Sequence, residues 1–181
     1  MPATLVAGGP GTPTPAFVRK GLMFGAGLGG AVMADDVQGG AAAGAQLALR
    51  GGYAFAASGF VLMLDANFGL TSLQGGGSFS ITSLTLGAQY FIRDDWAILA
   101  GLGGGNVEAT RDEITLQRYG GGAVTAGVSH DVWRSPRNNS LALEARITVL
   151  DLEFERGTRA GAVPTRDRAF LGTFGGLFQF W

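Results

Sequence analysis

Between Ala16 and Ser135 the chain contains no proline. Within that stretch and beyond it, apolar and polar residues alternate with period two. Leu62, Leu64, Ala66, Phe68 and Leu70 interleave with Met63, Asp65, Asn67 and Gly69, and Leu141, Leu143, Ala145, Ile147 and Val149 with Ala142, Glu144, Arg146 and Thr148. Phe170, Phe174, Phe178 and Phe180 share one parity, opposite Leu171, Thr173, Gly175, Leu177 and Gln179. In a β-strand successive side chains point to opposite faces, and a strand without proline can donate every backbone N–H to a neighbour. The pattern therefore predicts sheet. Cutting it at the turn signals gives eight strands, over 19–33, 41–54, 59–72, 78–92, 96–110, 114–132, 139–154 and 168–181. Four of the six prolines fall in the first 15 residues. Residues 1–18 accordingly read as a flexible Gly/Pro/Thr-rich N-terminal segment, and 19–181 as one β domain.

Composition narrows the class. Glycine supplies 32 of 181 residues and charged residues only 15%, against roughly 25% charged in ordinary soluble domains. The net charge of -1 offers no basic surface for nucleic acid. With no cysteine and a single histidine, disulfide frameworks, thiolate metal sites and multi-histidine metal centres are excluded. No cofactor is expected. The nearly uncharged stretch Gly21 to Ala34 is 14 residues long and rich in glycine, short of the roughly 17 to 25 that a spanning helix needs.

The connections also alternate. Ala56-Ala57-Ser58, Arg93-Asp94-Asp95 and Arg134 to Asn138 are short, whereas the others carry Asp35-Asp36, Gln74 to Gly77, Arg111-Asp112-Glu113 and Arg156 to Asp167. Tight turns on one rim and variable loops on the other are the plan of an outer-membrane barrel. Trp96, Trp133 and Trp181 all map to the short-turn rim, with Tyr53 and Tyr90 nearby, as amphipathic rings at a membrane interface would. The last strand, Thr173-x-Gly175-x-x-Phe178-x-Phe180, resembles the terminal-strand signal of outer-membrane β-barrels. In that family the usual pattern ends on its aromatic, whereas here Trp181 follows Phe180.

Taken with eight alternating segments, the chain resembles the small eight-stranded bacterial outer-membrane barrels of the OmpA/OmpX kind. The resemblance implies an all-β, eight-stranded antiparallel up-and-down transmembrane barrel in the outer membrane, with both termini periplasmic. It also implies contact with outer-membrane lipid and lipopolysaccharide, recognition of Thr173, Gly175, Phe178 and Phe180 by the barrel-assembly machinery, and a monomer.

Hydrocarbon offers no hydrogen-bond partners, so the face bearing Leu62, Leu64, Phe68, Leu84, Leu86, Ile98, Leu102, Val124, Val128, Leu141, Leu143 and Ile147 should meet lipid. Arg50, Asp65, Asn67, Gln89, Glu144 and Arg146 fall on the opposite face and predict a polar lumen network, two acids against two bases. Gly25, Gly27, Gly101 and Gly103 share that inward parity, where they would leave room for long side chains. Eight strands enclose an interior that side chains can fill, so a wide porin is excluded and a structural or surface-interaction role is expected. The alternatives are a narrow ion-conducting pore and a soluble lipocalin-like ligand-binding barrel with its apolar face inward. Asp35-Asp36, Arg111-Asp112-Glu113 and Arg156 to Arg168 are the candidate external contacts, their ligand unspecified, as is any periplasmic partner. Ser129-His130-Asp131 suggests a hydrolase triad in type. Adjacent strand residues face opposite ways, however, so Ser129 and His130 should not meet, and no enzyme is expected.

Overall fold

A computed structural model describes residues 19–35, 40–55, 59–72, 77–111, 114–135, 138–153 and 166–181. The N-terminal segment 1–18 and the loop centres at 36–39, 112–113 and 154–165 lie outside the described residues. Eight strands follow one another: β1 (Gly21–Asp35), β2 (Gly40–Phe55), β3 (Phe60–Ser72), β4 (Ser78–Phe91), β5 (Trp96–Arg111), β6 (Ile114–Arg134), β7 (Asn139–Glu153) and β8 (Arg166–Phe180). Each pairs antiparallel with the next, and β8 closes on β1 to complete a barrel. The strand limits lie within about two residues of those read from the turn signals.

Closure sets the stagger. Following paired residues round from Gly25 through Arg50, Asp65, Thr85, Gly103, Ala123, Leu150 and Ala169 returns to Asp35, ten positions further along β1. Such a shear tilts the strands and fixes a bore that side chains can fill. The rim carrying both ends of the sheet and the short turns is called the lower rim here.

Parity holds almost throughout. Leu62, Leu64, Phe68, Leu84, Leu86, Ile98, Leu102, Val124, Val128, Leu141, Leu143 and Ile147 are exposed on the outside, with Phe170, Phe174 and Phe180. A water-soluble barrel would carry its charges there, so this exterior rules out the lipocalin-like alternative.

One bulge matters. In β6, Asp131 pairs with Ala142 and Trp133 with Leu141, leaving Val132 as the extra residue. Ser129 and Asp131 point inward, so unbroken alternation would send Trp133 inward as well. The inserted residue resets the parity: Val132 and Trp133 both face outward, 47% and 49% exposed.

Candidate functional site: the barrel interior

The interior is layered. Its middle holds Arg50, Asp65, Asn67, Gln89, Glu144 and Arg146, all buried. Arg50 Nε donates to Asp65 at 2.8 Å, and Arg50 Nη2 lies 2.9 Å from Glu144. Arg146 Nη1 donates to Asp65 at 2.7 Å, and Arg146 also pairs with Glu144. Each arginine thus meets both carboxylates, and the four charges form a closed, neutral ring across β2, β3 and β7. Asn67 donates to Asp65 at 2.9 Å and accepts from Arg146 at 3.1 Å, while Gln89 accepts from Arg50 at 3.3 Å. Paired and hydrogen-bonded in this way, buried charges avoid the cost of isolation.

Strand register makes the room. Arg50 lies beside Gly25 on β1, Arg146 beside Gly127 on β6, and Glu144 beside Gly175 on β8. A Cβ on Gly127 would stand 2.9 Å from Arg146 Cγ. Of the terminal-strand residues, Thr173 and Gly175 therefore face this network, next to Arg146 and Glu144. Phe178 and Phe180 face outward, with ring centroids 4.9 Å apart.

Apolar clusters lie above and below this network, beside buried polar side chains such as Gln46, Ser140 and Gln179. The upper layer includes Met33, Phe79, Ile81, Val107, Leu150, Leu152 and Leu171. The lower one is Met23, Ala54, Val61, Met63 and Leu99. The sequence signal for these layers was a lapse in alternation: Phe60-Val61-Leu62-Met63-Leu64 is apolar on both parities.

Around the lower rim Tyr53, Tyr90, Trp96 and Trp133 are exposed outward. Trp96 stacks on His130 at 4.5 Å, and Trp133 on Phe178 at 6.2 Å. Trp181 departs from the expected outer belt. Its ring packs inward against Phe91, 6.1 Å between centroids, and its Nε1 donates to Ser140 Oγ at 3.1 Å. The reason is positional: Trp181 follows the outward Phe180 and shares the parity of the buried Gln179, so continued alternation turns it to the inside. His130 faces outward with Nδ1 3.2 Å from the Asp95 carbonyl oxygen, while Ser129 is buried inside, so the two are not brought together. Among the described residues no group of three or more His, Cys, Asp or Glu side chains could hold a metal ion.

A closed eight-stranded barrel with an apolar exterior and its charges paired inside has the fold of small transmembrane barrels of the bacterial outer membrane. No protein-family model and no curated protein matches the chain. Its fold is similar to that of Neisserial surface protein A, with a TM-score of 0.60 and 18% identity over 88% of this chain and 96% of that one. It is also similar to Ail, the attachment invasion locus protein of Yersinia pestis, with a TM-score of 0.58 and 14% identity over 90% and 99%. A second Ail structure, in complex with the heparin analogue sucrose octasulfate, gives 0.57 at 14% identity over the same shares of the two chains.

Proposed function

We propose that the chain is an integral outer-membrane protein with a structural or surface-interaction role, whose lumen is closed by its own side chains. The observation that carries this reading is the neutral ring of Arg50, Asp65, Arg146 and Glu144 held between two apolar layers. An ion would have to displace paired arginines and then pass the buried apolar clusters above and below them, each step opposed by desolvation.

In this reading both ends of the sheet are periplasmic, the lower aromatics sit at the inner-leaflet interface, and the loops opposite meet lipopolysaccharide and the exterior. The terminal strand, through Thr173, Gly175, Phe178 and Phe180, addresses the barrel to its assembly machinery, and the protein works as a monomer. The name of Ail and its complex with sucrose octasulfate support surface attachment as the kind of role such a barrel can carry.

Planar-bilayer recording tests the closed lumen. The refolded protein is expected to give no reproducible steps. Steps that change size in an Arg146→Ala or Glu144→Ala variant would establish the narrow pore instead.

A further inference from the structure

Arg19 precedes β1 by two residues, yet its side chain is only 11% exposed. Its guanidinium carbon lies 3.6 Å from the centroid of Phe91 and 5.5 Å from that of Trp181. It donates to the Asp94 carbonyl at 2.7 Å and forms an ion pair with Asp131, whose carboxylate is fully buried. Arg134 also reaches both groups: its Nε donates to Asp131 at 3.1 Å, and its Nη2 to the Asp94 carbonyl. Phe91 and Trp181 in turn pack against the lower apolar layer.

These contacts join the two ends of the barrel chain at one point. They are also chemically selective. A planar cation lying on an aromatic face, with N–H groups directed at a carboxylate and a carbonyl, is how a guanidinium is held. An ammonium has neither the plane nor the fork.

We propose that the lower mouth of the barrel is a guanidinium-binding site which the chain fills with its own Arg19, and that this occupancy seals the lower apolar layer from water. Arg19 braces the rings of Phe91 and Trp181 over Met23, Val61 and Met63. A rim pocket of about 360 Å³, lined by Arg19, Ala54, Phe60, Val61 and Phe91 among others, gives a small guanidinium a way in once the side chain is removed.

The chain has no cysteine, so a Met63→Cys variant carries a single thiol in the lower layer. Refolded in detergent, it is treated with a charged methanethiosulfonate reagent. An added Arg19→Ala or Arg19→Lys substitution is expected to speed labelling roughly tenfold or more by freeing local opening at the mouth. Millimolar methylguanidine should restore protection to the alanine variant, and methylammonium should not. Unchanged labelling in Arg19→Ala, or equal protection by the two cations, overturns the proposal. A boiled and unboiled gel pair checks that each variant has folded. Should Arg19→Ala fail that check, Asp131→Asn keeps the volume and removes the acidic partner. It is expected to speed labelling likewise, and unchanged labelling there overturns the proposal equally.

Discussion

Arg146 and Asp65 are 81 residues apart in the chain and meet at 2.7 Å inside the barrel. β3 and β7 are not neighbours in the sheet, so the pair spans the bore. The same Asp65 receives Arg50 from the adjacent β2, which makes one carboxylate the junction between wall and wall. Such cross-bore pairing is the direct consequence of a barrel narrow enough for side chains to fill.

Removing one arm of the ring should cost more than removing two. Arg146→Ala leaves Glu144 and Asp65 with Arg50 alone, and loss of one partner from a buried ion pair costs about 3–5 kcal/mol. The double variant Glu144→Gln with Arg146→Gln keeps the interior neutral and should lose less than Arg146→Ala. Urea unfolding in detergent or lipid vesicles measures both. A double variant that is weaker by the sum of its singles would mean that the ring is not coupled.

Depth in the belt should decide the cost of an outward charge. Leu143 and Asp151 have the same parity on β7, but Leu143 lies among lipid-facing leucines and Asp151 near the upper rim. Leu143→Arg is expected to cost roughly 2–4 kcal/mol and Asp151→Arg about 0–1 kcal/mol. Insertion yield into vesicles and unfolding free energy report the contrast. Equal insertion of both would place the belt wrongly.

Glycine substitutions should divide by face. Gly127 faces inward, where a Cβ would crowd the Ala145 carbonyl oxygen as well as Arg146. Gly127→Val is expected to destabilise by about 1–3 kcal/mol. Gly122 is exposed, with nothing within 4 Å of its Cβ position. Gly122→Ala should fall within about 0.5 kcal/mol of the parent.

The β6 bulge gives a prediction about a single ring. Deleting Val132 removes the extra residue and restores simple alternation, so that Trp133, now directly after the inward Asp131 and still opposite the outward Leu141, keeps its place on the lipid side. In a background with Trp96→Phe and Trp181→Phe, brominated lipids should quench Trp133 emission about equally in the parent and in the deletion. Loss of that quenching in the deletion would show that Val132 is not the extra residue of the bulge.

Much of this architecture is legible in the sequence because lipid enforces it. A strand exposed to hydrocarbon on one side must keep one parity apolar, so Leu141, Leu143 and Ile147 declare one face and Glu144, Arg146 and Thr148 the other. The ring charges were readable as inward for that reason. Which acid meets which base across the bore was not, because β3 and β7 meet only through the shear and closure of the barrel. The apolar layers hide for a different reason. An inward leucine such as Leu150 or Leu171 satisfies burial as well as an outward one, so composition does not reveal its side. Only parity counted from a neighbouring polar residue does. Trp133 followed the expected side through a bulge that no local motif announces. Trp181 has the inward parity of Gln179, but it and Arg19 lie just outside the strands, and their meeting depends on closure of β8 upon β1.

The chain forms a closed barrel with the apolar exterior of a membrane-spanning protein. The most direct measurement is to refold the chain in detergent and compare its gel mobility with and without boiling, alongside circular dichroism. A strand-dominated spectrum and a band that shifts on boiling are the predicted result, because a closed barrel resists the gel's detergent when cold. A protein that dissolves in plain buffer and shows no shift would contradict the account.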